Sequence, residues 1–176
     1  ALMHLFYRTS VLLALTLAAC SSPEETEQAP AAPIPLHNYV KAAYGETVLQ
    51  QYLHMKDALV SSNVQGARDA GKLMYMHLSI DNPAHVPILK PLTEIIENED
   101  LALQRSRFLT LSQAMQTALE EGTDAILNKG REPLFIQYCP MAFGHQGGTW
   151  LSAEPHVLNP YYGDEMLTCG VVRDTL

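Results

Sequence analysis

Two short segments in the last third of the chain pair a thiol with a thioether: Cys139-Pro140-Met141 and Met166-Leu167-Thr168-Cys169. Both kinds of sulfur are soft donors. A site built from Cys139, Met141, Met166 and Cys169 would therefore select Cu(I) or Ag(I) over hard cations such as Mg(II), Ca(II) or Mn(II). His145, in the glycine-rich run Gly144-His145-Gln146-Gly147-Gly148, is placed to replace one sulfur or to close the site. The spacing is not that of a zinc ribbon, since neither cysteine belongs to a Cys-x-x-Cys knuckle. The same two thiols have a second chemistry open to them. In an exported chain they would pair, and closing the loop between them would stabilise the fold by about 3 to 4 kcal/mol in the chain-entropy picture. The two readings are compatible, because a reduced pair can still receive a metal ion.

Other residues that carry chemistry elsewhere have plainer roles here. His54, His77, His85 and His156 are scattered, with no His-Glu-x-x-His motif, and read as surface or packing residues. Met55, Met74, Met76 and Met115 fall in helical segments, where thioethers fill core space or sit on the surface. Ser152 lacks a Gly-x-Ser-x-Gly elbow, and no base can be assigned to Cys139 as a nucleophile, so the chain is not read as an enzyme. Gly144, Gly147 and Gly148 permit a tight loop, without the strand, helix and lysine that a phosphate cradle needs.

The elements that must position the sulfur residues follow from periodicity. Val48, Tyr52, Met55 and Leu59 mark one helix face, and Ser61-Ser62-Asn63 interrupts it. Val64, Ala67, Gly71, Met74 and Leu78 mark a second helix, stopped by Asp81-Asn82-Pro83. Ile88, Leu92 and Ile95 mark a third, in which Pro87 and Pro91 each remove a donor and predict a kink. Leu101, Phe108, Leu111, Met115 and Ala118 mark the fourth, with Gly122 placed to end it. Four such stripes with short connections predict a mostly α domain, an antiparallel four-helix bundle. Beyond it, Leu134-Phe135-Ile136-Gln137-Tyr138 reads as a short strand. The rest, rich in Gly, Pro, Asn and Tyr, predicts an irregular, loop-rich C-terminal lobe. Within that lobe Trp150, the sole tryptophan, is expected to plug the lobe onto the helices, and Asn159-Pro160 to open a turn that Gly163 finishes.

The first residues belong to a different class. Arg8 precedes the apolar run Val11-Leu12-Leu13-Ala14-Leu15-Thr16-Leu17, which is too short to span a bilayer and has the proportions of a signal-peptide core. Its end, Leu17-Ala18-Ala19-Cys20, resembles the bacterial lipobox. That resemblance implies cleavage before Cys20, lipidation of Cys20, and loss of residues 1–19 from the mature lipoprotein. Ser21 and Ser22, by resemblance to Gram-negative sorting rules, favour the outer membrane. Residues 20–37, acidic and proline-rich, read as a tether, and 38–176 as the folded domain on the periplasmic side. The chain of 176 residues carries a formal charge of -8 with no basic run, which argues against nucleic acid as a partner.

Taken in order, Tyr138-Cys139-Pro140-Met141-Ala142, Trp150-Leu151-Ser152, Asn159-Pro160-Tyr161-Tyr162-Gly163 and Met166-Leu167-Thr168-Cys169-Gly170 resemble the signature of a bacterial domain-of-unknown-function family. Members occur as free-standing exported proteins and as a terminal domain of copper/silver-efflux periplasmic adaptor proteins. The resemblance implies one domain over roughly residues 42 to 174, heavy-metal handling, and an envelope metal-efflux component as partner.

Overall fold

The computed structural model of the chain describes residues 47–122, 127 and 133–176. All of them lie in one compact unit, Pro35–Leu176. Four helices come first, three of them beginning where a side chain satisfies an otherwise orphaned N–H group. Helix α1 (Val48–Val60) is capped by Thr47, whose hydroxyl accepts from the Gln50 N–H. Helix α2 (Val64–Tyr75) is capped by Asn63, whose side-chain oxygen accepts from the Gly66 N–H at 2.9 Å. Helix α4 (Leu101–Glu121) starts at Asp100, which accepts from the N–H groups of Ala102 and Leu103. It ends at Gly122, whose φ of 62° is the left-handed conformation that glycine adopts without strain. Helix α3 (Val86–Glu97) lacks a side-chain cap and begins with Pro87 in its first turn. It runs through Pro91 as one element, because that residue removes only the donor that would have reached the Pro87 carbonyl.

Most of the expected stripe residues form the buried faces; in α2 these are Ala67, Gly71 and Met74, whereas Val64 and Leu101 are half-buried and Leu78 lies beyond the end of α2 at Tyr75. Val48, Tyr52, Met55 and Leu59 of α1 are buried, as are Ile88, Leu92 and Ile95 of α3 and Phe108, Leu111 and Met115 of α4. Tyr52 stacks on Phe108 with ring centroids 5.1 Å apart, joining the first and last helices at the centre of the core. Each helix packs on the next in sequence, and α4 also packs on the sheet described below. Burying residues of this size contributes about 1.5 to 3 kcal/mol apiece, which is how the stripes convert pattern into stability. Among the described residues, no helix is long and apolar enough to cross a membrane.

The C-terminal lobe departs from the expectation of an irregular, loop-rich segment. It holds a three-stranded antiparallel sheet, ordered β2-β1-β3, from β1 (Phe135–Cys139), β2 (Gly148–Ser152) and β3 (Val171–Thr175). The fold is thus mostly helical with a small sheet. Only β1 was expected. Strand β2 contains Gly-Thr-Trp-Leu-Ser, with a glycine and no apolar alternation, and β3 is exposed at every position, so neither carries the half-buried pattern that announces a strand. Tertiary pairing decides both. A tight turn (Ala142–His145), with Phe143, Gly144 and His145 on left-handed backbone, links β1 to β2, and a 3-10 turn (Gly163–Glu165) precedes β3.

The sheet meets the helices along the outer edge of β2. The Leu151 N–H donates to the Tyr52 hydroxyl at 3.1 Å, and that hydroxyl lies 2.7 Å from the Ser112 hydroxyl. The Tyr161 hydroxyl donates to the Thr149 carbonyl on the same strand. Burial lifts both phenols above the ordinary tyrosine value, so they stay protonated and act as neutral hydrogen-bonding pins. Trp150 is buried in the common core, edge-on to Tyr161 at 5.6 Å, as its size led one to expect.

Candidate functional site: a paired-thiol centre

Cys139 ends β1, where it pairs with Gly148 of β2, and is fully buried. Cys169 lies thirty residues later, in the turn closed by its own N–H on the Met166 carbonyl at 3.0 Å, and is half-buried. Their sulfur atoms are 2.9 Å apart and both are free thiols. The two segments singled out by their sulfur content do converge.

Local chemistry explains why the turn sits there. Asn159 is fully buried, and its side chain donates to the Cys169 carbonyl at 2.8 Å while accepting from the Tyr161 N–H at 2.8 Å. Its backbone N–H donates to the Leu167 carbonyl at 2.7 Å, and its carbonyl accepts from the Gly163 N–H at 3.1 Å. One residue therefore ties together both ends of the segment that delivers Cys169. Gly170, with a φ of 151°, lets the chain pass against β1: a side chain there would meet the Tyr138 carbonyl at 3.0 Å and the Trp150 ring at 3.1 Å.

Gln137 does for the other loop what Asn159 does for this one. Fully buried in the middle of β1, it donates from its amide nitrogen toward the carbonyls of Glu154, Pro155 and His156, and accepts the Trp150 indole N–H at 2.8 Å. From the helical side, Arg105 donates to the Pro160 carbonyl at 3.0 Å and to the Leu59 carbonyl and Ser62 hydroxyl, fixing the turn against α1 and α4.

The electrostatics are those of a resting thiol pair. The hydrogen bond shared with Cys139, then burial, holds the Cys169 thiol above the ordinary value for cysteine, while the Met141 backbone N–H facing its sulfur pulls the other way. Tyr162 closes one side: its hydroxyl donates to the Met141 carbonyl at 2.6 Å, and it too is raised, by burial and by proximity to both thiols. Asp164 and Glu165, acidic and exposed, flank Arg105 in the 3-10 turn just before Met166.

The remaining candidates lie at the rim. Met141 and Met166 are exposed, at 36% and 40%, and flank the thiols in sequence and through the backbone contacts just given. His145 is exposed on left-handed backbone with a φ of 70°. Among the described residues, no three His, Cys, Asp or Glu side chains gather into a metal-sized group, so any further donor at the thiol pair is a thioether or comes from outside that set. Cys20 and the residues read as signal peptide and tether lie outside the described residues. The two cysteines are legible by residue type, whereas Gln137, Asn159 and Arg105, which anchor the surrounding loops, are not. Asn-Pro at 159–160 was legible as a turn, but nothing in it announces that the amide reaches the Cys169 carbonyl.

No curated protein and no solved structure matches the chain. A family model does match, over the four long helices, while the signature from Tyr138 to Gly170 lies beyond the matched segment. Residues 48–125 match the model of a domain-of-unknown-function family, described as protein of unknown function (DUF3347).

Proposed function

We propose that this chain is an exported lipoprotein, anchored through Cys20 to a membrane facing the periplasm, the outer membrane by preference. In this reading its domain binds or relays Cu(I) or Ag(I) for an envelope metal-efflux partner. The arrangement of α1 to α4 as an antiparallel bundle is part of the same reading. The observation that carries the metal site is the approach of the two thiols to 2.9 Å, with thioethers two residues after one and three before the other. Cys139 and Cys169 would supply negative charge on deprotonation, and Met141 and Met166 soft neutral donors that need lose no proton. His145 is the reserve ligand from the neighbouring loop. Two thiolates on one cation with bonds of about 2.3 Å stand roughly 3.8 to 4.6 Å apart. Loading therefore requires the two sulfurs to move apart by roughly 0.9 to 1.7 Å from their 2.9 Å separation.

The test is an anaerobic titration of the reduced soluble domain against a competing Cu(I) chelator. One equivalent should bind, with zinc weaker because methionine is a poor zinc ligand. Cys139→Ser and Cys169→Ser should each lose most of the affinity, Met141→Leu and Met166→Leu less, and His54→Ala none. Failure of the folded, reduced protein to compete would end the metal reading. The same short separation favours a second reading, in which an oxidised pair staples the lobe and the domain docks on an envelope partner without metal. A disulfide needs the sulfurs about 2.05 Å apart, a smaller adjustment than metal requires.

A further inference from the structure

The two thiols differ in access, and that difference gives them separate roles in a reaction that needs no metal. Cys139 is fully buried at the end of the central strand, whereas Cys169 is half-buried in a turn at the surface. A reagent larger than a proton therefore meets Cys169 first. Cys139 waits 2.9 Å behind it.

We propose that the pair is a thiol–disulfide exchange centre: Cys169 is the residue at which an external low-molecular-weight disulfide is attacked, and Cys139 is the resolving thiol. In the first step the Cys169 thiolate attacks one sulfur of the disulfide. A mixed disulfide forms on Cys169, the reagent's S–S bond breaks, and the released thiolate takes up the proton that Cys169 gave up. In the second, Cys139 loses its proton and attacks the Cys169 sulfur. The Cys139–Cys169 bond forms, and the second reagent thiolate leaves and is protonated. Two electrons and two protons pass from the protein to the reagent, which ends as two thiols. The mixed disulfide is short-lived, because the resolving sulfur is already in contact and its effective concentration is that of a neighbouring atom.

The anchoring of the turn favours the second step. Asn159 holds the Cys169 carbonyl, and Gly170 keeps the chain pressed against β1, so the modified Cys169 cannot swing far from Cys139. The exchange stands independently of metal binding. One consequence rests on the metal reading: the oxidised pair has no thiolate to offer, so only the reduced form would take Cu(I).

The experiment treats the metal-free folded domain with oxidised glutathione and follows its mass and free thiols with time. The wild type should lose two hydrogens and both thiols, with no lasting glutathione adduct. Cys139→Ser should accumulate one stable adduct at Cys169. Cys169→Ser should stay unmodified while folded and react only in denaturant. A lasting adduct on the wild type would overturn the proposal, as would a folded wild type that keeps both thiols. So would a Cys169→Ser protein modified as fast as Cys139→Ser. Circular dichroism of each variant guards against loss of fold. Exchange that proceeds as described in a protein whose reduced form ignores Cu(I) would remove the metal reading and leave this one intact.

Discussion

The helical half and the sheet lobe are held together by different physics. In the helices the binding surfaces are mostly apolar stripes, joined by the buried Gln104 amide, which donates to the carbonyls of Val64, Ile95 and Asn98. In the lobe single polar side chains carry whole loops: Gln137 holds residues 154–156, Asn159 the Cys169 turn, and Arg105 the Pro160 turn. A stripe loses stability in proportion to what is cut from it. A polar anchor is all or nothing, because a carbonyl or N–H left buried without a partner costs more than the bond itself contributed.

The strongest way to probe that contrast is to cut the stripe at its centre. Phe108→Ala, removing the ring stacked on Tyr52, should cost about 3 to 5 kcal/mol in chemical denaturation, with sheet and helices unfolding together. If the lobe instead kept its near-ultraviolet signal from Trp150 through the helical transition, the shared core would be refuted. Cutting an anchor should do something narrower. Asn159→Ala leaves the Cys169 carbonyl and the Tyr161 N–H without their partner and should cost about 2 kcal/mol. Its larger effect should be on thiol chemistry: a lasting glutathione adduct should appear on Cys169 where the wild type shows none. Unchanged exchange in this variant would mean that something other than Asn159 positions the turn.

The smallest effect concerns pH and belongs to the helical half. His54 on α1 is half-buried, and burial holds its pKa below the ordinary 6.5 against the smaller opposing pull of Asp57. A lowered folded value means that the neutral ring is favoured by folding. Its stabilisation is present above pH 6.5 and is lost as pH falls through the folded value. Replacing His54 with Gln should flatten the midpoint of denaturation between neutral and mildly acidic pH and leave the thiol reactions untouched. An acid slope equally steep in the variant would assign it to another group.

What could be read from sequence follows the same division. The stripe positions Val48, Tyr52, Met55 and Leu59 were legible because burial repeats with the helix turn, and so was the stop at Gly122. The two cysteines were legible by type. Their approach was not, since it depends on β1 pairing with β3 and on an Asn amide ten residues from its target. Strand β3 was missed because exposed residues carry no periodic signal. Gln137 carries no sequence signal beyond its place in a short strand, yet it is one of the most enclosed polar groups among the described residues.

That last strand has a consequence for how the protein behaves in a crowd. Strand β2 has its outer edge capped by tyrosine hydroxyls, but β3 presents Val171 and Val172, 55% and 40% exposed, on a side that no other strand among the described residues covers. Such an edge is a template for sheet growth between copies. Arg173 and Asp174 follow the valines directly, at the irregularity opposite Ile136 and Gln137, with the guanidinium 3.3 Å above the Tyr138 ring. A bulge and two charges of opposite sign make a poor surface on which to align a second strand. They keep the short apolar edge from nucleating aggregation at high local concentration, a service to solubility that lies outside both the core and the thiol pair.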